Sequence, residues 1–496
     1  MVNRLADMDA VAMNVESSAP AHVVACVVLE ASDQLSHPRL HELFSLSLPR
    51  MARFRSRVVG KPLGLGQPVW AEVHDFDPSP HLRCATVPAA TGQRGFTDLI
   101  AGLTAEPLDR RKPLWQMWSI DGLDGGRWAL ALKMAPALSG GAAGLTAVWR
   151  HFLVTSPNDN PPSYPRAEPS LGDQPSAREL IGDTMRELLE NQVTGAWLIV
   201  GAMPGFVRGV LRRLHGPAFK LPRTPPSMRG PLPRTPFNLP LTDRRSTAFA
   251  SIPFAQLKKV ARAFGGSVDN VVLAACTLAL RAWLKRHDAV PDEPLSLQVS
   301  LSVQDSCFAR RSDDFAFGSL RFPVQLDDPV QVLTDLHTAT EKLKMGLNRK
   351  ISTLAPLGDF SSIVSLLPPS AVHAFTQLSN GLGLSCRAAP ASHGVVSILP
   401  GVRMPLYCAG ARVTALHAAA PLLDRAGLNI TLITHESEVD ISVCVCPDNV
   451  PFVDEIASGI VESVALLVAA AEESPRGVSP SVLTEMTSHT KKRRHA

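Results

Sequence analysis

The sequence contains no run of about 18 consecutive apolar residues, so it predicts no membrane-spanning helix. Its first residues include Asp7 and Asp9 and have no long apolar core, which argues against a secretory signal. The formal net charge of +4 over 496 residues is too small to indicate a nucleic-acid-binding protein. From these absences we expect a globular protein that resides in the cytoplasm.

Motifs that mark several common enzyme classes are also absent. The chain has no P-loop, no His-Glu-x-x-His zinc motif and no Cys-x-x-Cys pair. A Gly-x-Ser-x-Gly nucleophile elbow is missing too, because the segment at Ser139 lacks the leading glycine. The eight cysteines are scattered, and only Cys444 and Cys446 are close together. Reduced thiols packed as small apolar side chains are favoured over metal ligands, so we predict no metal site.

Length and composition predict two or three domains. With 45% hydrophobic and 19% charged residues, the 496-residue chain can bury large cores. Helical and strand patterns follow one another along it, which predicts an α/β (α+β) fold. We place an N-terminal domain at 1–176, a helix with a basic, Pro-rich linker at 177–245, a C-terminal domain at 246–474 and a basic tail at 475–496.

The clearest predicted elements are bounded by glycine, proline or polar turn residues. They are a strand at His22–Glu30, a helix at Phe254–Phe264, a hairpin of Leu428–Thr434 and Val439–Cys446, and a closing helix at Pro451–Glu473. A long apolar helix is also predicted at Val271–Lys285. Ser267 or Asp269 is well suited to cap its N-terminus, and Asn270 can cap a helix as well.

The stretch at 128–152 has the pattern strand, turn, helix, which is where α/β proteins commonly place their chemistry. Its strand, Trp128–Met134, is apolar except for one lysine. Pro136 ends the strand because proline has no N–H for the ladder, and Ser139-Gly140-Gly141 permits a sharp turn. Apolar residues at helical spacing predict a helix at Ala142–Leu153.

This stretch resembles the signature region of the bacterial wax ester synthase/diacylglycerol acyltransferase family, of the CoA-dependent acyltransferase type. That family has two histidines, three variable residues, an Asp and a Gly in this turn, and its second histidine is the general base for the acceptor hydroxyl. The matching residues here are Ala135, Pro136, Gly140 and Gly141, so only the final glycine is retained. The resemblance implies two domains with mixed sheets that transfer an acyl group from acyl-CoA to diacylglycerol or a long-chain alcohol. The substitutions predict impaired catalysis.

A further departure from the family follows the predicted strand Leu295–Val303. The wider acyltransferase group has an arginine here that pairs with the signature Asp, and this chain has Gln304. Loss of one partner would leave an unpaired buried charge, which is costly, whereas joint loss at Gly140 and Gln304 is physically consistent. The two substitutions together favour a site in which the Asp–Arg pair of the family is no longer required.

Three other segments carry the resemblance: Pro107–Trp115, Pro405–Arg412 and Gly427–Thr431. Within the first, we interpret Pro113, Leu114 and Trp115 as structural, with a rigid proline before a strand and the tryptophan in the core. The family has Asn then Asp where this chain has Asp269 then Asn270. Helix capping accounts for both residues without a role in substrate binding.

Acyl transfer from a thioester to an alcohol needs a base near the hydroxyl, a donor for the oxyanion and a cleft for both substrates. Pro136 supplies no basic nitrogen. The histidines at His151, His393, His417 and His435 lie in no motif that would position one of them as a substitute base. We therefore interpret them as structural, and no intact catalytic residue is predicted.

Two functional hypotheses follow from these residues. One is an acyltransferase with reduced or rerouted activity; the other is a non-catalytic protein that binds acyl-CoA or neutral-lipid precursors, as a partner of an active relative. Leu138, Gly427, Asn429 and Thr431 are the predicted lining of the cleft. The missing base favours the second hypothesis. Acyl-CoA is the expected substrate or ligand in both, with no further cofactor.

The segment at 191–242 contains no Asp or Glu, and it carries seven Lys or Arg residues after an apolar stretch. One interpretation is a membrane-surface segment attracted to anionic lipid, at the inner membrane or a lipid droplet. The other is a helix buried against the first domain, followed by a solvated linker. The sequence leaves both open, although the family is often found at membranes.

Overall fold

The computed structural model describes residues 3–5, 22–62, 67–139, 148–159, 175–187, 189, 232–302, 315–353, 392–399 and 401–473. The strands are β1 (Asn3–Arg4), β2 (Val23–Leu29), β3 (Ser56–Val59), β4 (Val69–Glu72), β5 (Leu82–Thr86), β6 (Trp115–Leu123), β7 (Arg127–Met134), β8 (Ser246–Pro253), β9 (Leu295–Ser302), β10 (Phe315–Phe322), β11 (Gly394–Leu399), β12 (Tyr407–Cys408), β13 (Ala411–Ala419), β14 (Leu428–His435) and β15 (Glu438–Val445). The helices are α1 (His37–Ser47), α2 (Gly92–Ala105), α3 (Pro136–Ser139), α4 (177–187), α5 (Phe254–Phe264), α6 (Val268–Arg286), α7 (Pro329–Thr353) and α8 (Val453–Glu473).

The first large sheet has six strands in the order β12-β13-β2-β7-β6-β5. β2 and β7 pair antiparallel, with Val23 opposite Met134, while β5 and β6 pair in parallel, so the sheet is mixed. β7 lies in the middle with both faces covered, which is why its sequence is apolar on both. Its even-numbered residues pack in a core cluster with α1, and Ala129 and Ala131 pack toward α2 and the second sheet.

Residues 407–419 add β12 and β13 to this first sheet. β13 pairs antiparallel with β2, with Ala419 opposite Val24. Their position in the chain lies within the predicted C-terminal domain at 246–474, whereas their hydrogen bonds join them to N-terminal strands. A local pattern predicts that a strand forms but does not identify its partner, and neighbours in sequence pair only most of the time.

The second large sheet has six strands in the order β10-β9-β11-β14-β15-β8. β11 runs parallel to both β9 and β14, and the other pairs are antiparallel. One face of the sheet packs against α5, α6, α7 and α8 in a single apolar core. α6 is buried along most of its length, and Trp283 on it donates its indole N–H to Pro451 O at 3.1 Å. This face is closed to ligands by the helices.

The other face of the second sheet is directed at the first sheet and carries polar side chains. Asp440 Oδ2 accepts the Leu416 N–H at 2.7 Å, and Ser442 Oγ accepts the Ala418 N–H at 3.0 Å. β12 covers the edge of β13 only near Ala411, so these side chains satisfy amides that no strand reaches. The polar layer therefore holds the two sheets together.

The contact made by Asp440 predicts a pH-dependent stability. Burial raises the pKa of its carboxyl from the ordinary 3.8 to about 6, although hydrogen bonds from Ser251 and Leu416 act in the opposite direction. Because the folded-state pKa is the higher one, the stability that Asp440 contributes is full below about pH 4 and is lost as the pH rises through about 6. Between these two pH values, the free energy of unfolding falls by about 3 kcal/mol through this group.

We expect the wild type to lose this stability relative to Asp440→Asn, whose amide does not ionise and still accepts the Leu416 N–H. Denaturant unfolding of both proteins at several pH values between about 4 and 7 measures the difference in free energy of unfolding. Parallel pH profiles would contradict the assignment to Asp440.

Within the described parts of the chain, no single helix is both long and apolar enough to cross a membrane. α5 and α6 meet the length and composition requirement only when taken together, with a bend of 102° between them. Leu257 and Val260 of α5 and most of α6 are buried in the core of the second sheet. The pair is therefore accounted for by packing inside the protein.

Candidate functional site

The candidate site is the turn that follows β7, which ends at Met134 as predicted from Pro136. The Ala135 N–H donates to Leu114 O at 3.0 Å, which closes the turn onto the segment before β6. The Leu138 N–H donates to Ala135 O at 3.0 Å within the short helix α3. Backbone hydrogen bonds thus fix the position at which the family has its histidines.

Trp115 anchors this end of the sheet. Its ring is fully buried, its indole N–H donates to Phe54 O at 2.7 Å, and His81 stacks on it at 4.6 Å between ring centroids. Leu114 beside it is buried as well and provides the carbonyl that holds Ala135. These contacts agree with a structural role for Leu114 and Trp115 as an anchor of the turn, with Pro113 directly before them.

The described part of the turn contains no ionisable side chain. Ala135, Ala137 and Leu138 are buried in the apolar cluster of the first sheet. Leu138, which we expected to line the cleft, packs in that core with Met134 and Trp149 as members of the same cluster. The remaining motif positions, Gly140, Gly141 and Gln304, lie outside the described residues, as does 142–147 of the predicted helix.

His393 lies in contacts that explain it structurally, and the backbone of His151 takes part in packing against α1. The ring of His393 accepts the Ser296 N–H at Nδ1 and donates from Nε2 to Pro233 O at 2.9 Å, so both ring nitrogens are engaged. Burial lowers the pKa of His393. The His151 carbonyl accepts the Ser47 hydroxyl at 2.9 Å in the 3₁₀ turn that follows the undescribed segment.

His417 and His435 lie on strands between the two sheets. The His417 ring stacks on Phe249 with centroids 4.3 Å apart, and burial lowers its pKa to about 3. Burial also lowers the pKa of His435, whose Nδ1 lies 3.9 Å from Asp440 Oδ2. Burial thus makes each ring a weaker proton acceptor than an ordinary histidine, which does not favour either one as the base for a hydroxyl.

The predicted cleft residues of the second sheet lie at the beginning of β14. Leu428 and Ile430 point into the second core, so Asn429 and Thr431 point to the opposite face, toward the first sheet. Both are buried, and the Thr431 hydroxyl donates to Asn429 Oδ1 at 3.0 Å. A Cβ at Gly427 would lie 3.1 Å from Leu241 Cδ2 and 3.3 Å from Phe237 O, so the glycine is closely packed against both residues.

Of the residues predicted as possible caps of α6, the structure uses Ser267 and not Asp269 or Asn270. α6 begins at Val268, and its N-cap is Ser267, whose hydroxyl accepts the Asn270 N–H at 3.3 Å. Asp269 and Asn270 therefore belong to the first turn of the helix and are not caps. The buried Asn270 amide donates to His337 Nδ1 at 2.7 Å and thereby links α6 to α7.

A cavity of about 380 Å³ lies between α2 and the two sheets, within the usual size range of ligand pockets. It is lined by residues of both sheets, including Val28, Phe96, Phe249, Ser251 and His417. This cavity could not be predicted from the sequence, because β13 and β8 meet there only through the pairing of β13 with the first sheet. The cavity lies between the two sheets, and none of the predicted cleft residues Leu138, Gly427, Asn429 and Thr431 lines it.

Two basic residues beside the turn were not singled out from the sequence. Lys133 is the one charged residue of the buried part of β7, and His22 immediately precedes β2. Since Val23 lies opposite Met134, His22 lies across from Ala135. A lysine in an otherwise apolar strand was the signal that could have identified this pair.

Two mixed six-stranded sheets that face each other, with a turn after β7 at their junction, define a fold of the CoA-dependent acyltransferase type. The family model for the wax ester synthase/diacylglycerol acyltransferase catalytic domain matches residues 5–272, and the model for the C-terminal domain of that family matches residues 313–467. The chain belongs to the wax ester synthase/diacylglycerol acyltransferase family, which confirms the predicted family and fold class.

Proteins related in sequence align with nearly the whole chain. Two Mycobacterium tuberculosis proteins, provisionally named diacylglycerol O-acyltransferases, are each 28% identical; they cover 96% and 90% of this chain and 92% and 93% of their own lengths. The solved wax ester synthase/diacylglycerol acyltransferase of Marinobacter aquaeolei VT8 superimposes with a TM-score of 0.64, at 22% identity, over 95% of this chain and 100% of that one.

A more distant solved structure has the same fold. The first condensation domain of the calcium-dependent antibiotic synthetase, in complex with a substrate analogue, gives a TM-score of 0.52 at 16% identity over 96% of this chain and 97% of its own. At such low identity, the likeness to both solved structures concerns the fold alone.

Proposed function

We propose that this protein binds acyl-CoA and neutral-lipid precursors between its two sheets but transfers the acyl group slowly or not at all. The observation that carries the proposal is the turn after β7. There Ala135 and Pro136 stand where the family has its two histidines, and the described residues Ala135–Ser139 include no ionisable side chain. The proposed binding of acyl-CoA and neutral-lipid precursors is supported by the family and the fold.

The chemistry explains why these two residues matter. As the acceptor hydroxyl attacks the thioester carbonyl, its proton must leave to a base while the C–S bond to CoA breaks. Proline has neither a basic nitrogen nor an N–H, so Pro136 can neither take that proton nor stabilise the oxyanion. Removal of a positioned base typically lowers the rate by about 10²- to 10⁴-fold.

The alternative within the same family is an acyltransferase with reduced or rerouted activity. Holding two substrates close together accelerates their reaction even without a base, which supports some residual turnover. Binding without efficient transfer would suit a partner that presents or holds substrate for an active relative. The transfer rate separates these alternatives.

A radiolabelled acyl-CoA transfer assay with diacylglycerol or a long-chain alcohol tests the proposal. We expect a rate at least about 100-fold below that of an active family member assayed in parallel, because the base is missing. The control is the active relative with its second signature histidine changed to proline, which should fall to a similar rate. A wild-type rate equal to that of the active relative would contradict the proposal.

A second proposal concerns attachment to an anionic membrane surface. Helix α4 buries Leu180, Thr184 and Glu187 on one side, whereas Ile181 and Met185 on another side are 52% and 58% exposed. Leu189, one turn further on, is 65% exposed. This apolar stripe directly precedes the acid-free basic segment at 191–242, and apolar insertion beside Lys and Arg is the combination that binds anionic lipid.

Ion pairs attach α4 to the N-terminal part of the protein. They fix the orientation of the helix and therefore the side on which its apolar stripe is exposed. The fully buried Lys61 ammonium lies 2.6 Å from Asp183 Oδ2 and also contacts Glu187, while Arg4 donates to Asp183 at 2.9 Å. These contacts join the helix to the small sheet of β1, β4 and β3. The apolar stripe is on the side of the helix away from these acids.

Co-sedimentation with vesicles that contain anionic lipid tests this second proposal. We expect binding to weaken with salt and to fall at least about tenfold when Arg208, Arg212 and Arg213 are changed to Glu, because each cation contributes about 1 kcal/mol near an anionic surface. Changing Ile181 and Met185 to Ser should weaken binding independently of salt. Equal binding of the wild type and the triple variant would remove the proposal.

A further inference from the structure

The cavity of about 380 Å³ between α2 and the two sheets lies away from the turn after β7. Val28 of β2 lines the cavity and pairs with Ala129, whereas the turn begins just beyond the pair of Val23 and Met134. Five residues of β2 separate the two pairs, which is about 17 Å along the strand. The cavity is therefore a second place in the molecule at which a small ligand has room to bind.

Two β-bulges border this cavity. The register of β13 with β2 shifts between Val413 and Ala415, and the register of β6 with β7 shifts between Ile120 and Leu123. Thr414, Ala415 and Leu123 all line the cavity. Bulges bend a strand, re-aim its side chains and are over-represented beside functional sites. Two irregularities in strands far apart in the chain thus lie at one cavity.

The buried walls of the cavity are mainly apolar and partly aromatic. They include Val28, Phe96, Leu123 and Phe249. The rings of Phe96 and Phe249 have centroids 5.7 Å apart, and the His417 ring stacks on Phe249. Burial lowers the pKa of His417 to about 3, so this ring adds no charge at neutral pH. Such walls suit an apolar or aromatic group of a ligand.

Two charged side chains of opposite sign line the cavity nearer to solvent: the exposed Asp124 and the half-buried Arg127. Arg127 Nε donates to the Asp124 backbone oxygen at 2.9 Å. In the parts of the chain that the structure describes, no cation pairs with the Asp124 carboxylate and no carboxylate pairs with the Arg127 guanidinium. Both charges therefore remain available to a ligand.

The beginning of α2 helps to position the Asp124 carboxylate. The carboxylate lies against Gly92, where a Cβ would be 3.2 Å from Asp124 Oδ2. The N-terminus of a helix carries a partial positive charge, which favours a carboxylate at this place. The acceptor at the cavity is thus held in position before any ligand binds.

The hydroxyl side chains that line the cavity are already engaged within the protein. Ser251 Oγ donates to Asp440 Oδ1 at 2.6 Å, and Thr414 Oγ1 donates to Val28 O at 3.3 Å. The hydroxyl groups of a sugar or another neutral polyol would find few free partners here. A ligand that carries one positive and one negative charge would find both.

We propose that this cavity binds a small zwitterion with an apolar side chain, of the class of the apolar α-amino acids. Its ammonium group would donate to the Asp124 carboxylate, its carboxylate would accept from the Arg127 guanidinium, and its side chain would pack against Phe96 and Phe249. At the roughly 30 Å³ that one water occupies in the liquid, the cavity holds roughly a dozen non-hydrogen atoms, which matches phenylalanine. This binding requires neither acyl-CoA nor a catalytic base, so it goes beyond the proposed function.

Equilibrium dialysis of the full-length protein with radiolabelled L-phenylalanine tests the inference. The competitors are phenethylamine, which keeps the ammonium group alone, 3-phenylpropionate, which keeps the carboxylate alone, and sorbitol, a neutral polyol. We expect phenylalanine to bind at least about tenfold more tightly than each of them, because only the zwitterion makes both charge-assisted contacts. Equal affinity for either half-molecule, or equal displacement by sorbitol, would overturn the inference.

Variants assign each charge to its partner. Asp124→Asn should weaken the binding of phenylalanine and phenethylamine at least about tenfold and leave 3-phenylpropionate unchanged, whereas Arg127→Gln should weaken phenylalanine and 3-phenylpropionate and leave phenethylamine unchanged. Asp292→Asn and Arg262→Gln, at exposed residues elsewhere, are the matched controls and should change none of the three. Unchanged phenylalanine affinity in Asp124→Asn and in Arg127→Gln would overturn the inference.

Two further measurements place the ligand in the cavity. Ala415→Leu extends a side chain into the cavity and should weaken all three aromatic ligands together; unchanged affinity in a folded Ala415→Leu protein would overturn the placement. If this variant does not fold, the two charge variants still decide. Palmitoyl-CoA is tested as a competitor on the same samples. Displacement of phenylalanine by palmitoyl-CoA would show one shared site and overturn the inference, whereas phenylalanine binding without any palmitoyl-CoA binding would remove the proposed function and support this inference.

Discussion

The variant Ala135→His, Pro136→His, Gly140→Asp, Gln304→Arg is expected to transfer acyl groups at least about tenfold faster than the wild type. The reason is that it returns a base together with the charged pair that the resemblance associates with it. A positioned base is worth up to about 10²- to 10⁴-fold in rate. The measurement is the radiolabelled acyl-CoA transfer assay with purified protein.

The single variant Pro136→His should recover little. Pro136 begins α3, and an imidazole there would have no orienting partner, since Ala135, Ala137 and Leu138 offer no polar side chain. The matched control is the fourfold variant with glutamine instead of histidine at Pro136, which keeps the size and lacks the base. Melting temperatures are needed as well, because an imidazole replaces the buried methyl group of Ala135. Equal rates for the histidine and glutamine versions would contradict the account of the base.

Trp115→Ala should lower the free energy of unfolding by about 4 kcal/mol. Truncating a buried tryptophan leaves a cavity, and it also leaves Phe54 O without the indole N–H. The ring packs against Phe44, Phe54 and His81, so its loss disturbs the core that supports the turn at Ala135. Denaturant unfolding measures this effect.

Trp118→Ala is the control in the same strand. That indole is only partly buried, and its N–H makes a long contact of 3.4 Å with Gln116 Oε1. We expect a loss below about 2 kcal/mol, because less apolar area is removed from the interior. Similar losses for the two variants would contradict the role of Trp115 as an anchor.

Elements governed by local residues could be predicted from the sequence. Gly265 adopts the left-handed conformation at φ 68°, so the predicted helix Phe254–Phe264 ends where glycine permits it. Pro136 ends β7 for the reason given from its missing N–H. The predicted hairpin turn at Glu436 and Ser437 lies between β14 and β15. In each case a short-range steric or hydrogen-bonding rule decides the boundary.

Features governed by long-range pairing could not be predicted. β13 joins β2 from nearly 400 residues away, with Ala419 opposite Val24, and no local pattern encodes that register. The neighbourhood of His22 and Lys133 depends on the same kind of contact, because the two residues lie in or directly beside strands that are far apart in the chain. The sequence left the cap of α6 open among Ser267, Asp269 and Asn270, because all three are suitable caps by residue type, and the structure uses the serine.

Titration calorimetry of a long-chain acyl-CoA into the wild-type protein, with the transfer rate measured on the same sample, tests the central claim most directly. The proposal predicts a measurable binding isotherm together with transfer at least about 100-fold below that of an active relative, because binding needs the cleft and transfer needs the base. Absence of binding would contradict the claim that the cleft is retained, and transfer at the rate of the active relative would contradict the claim that its chemistry is lost.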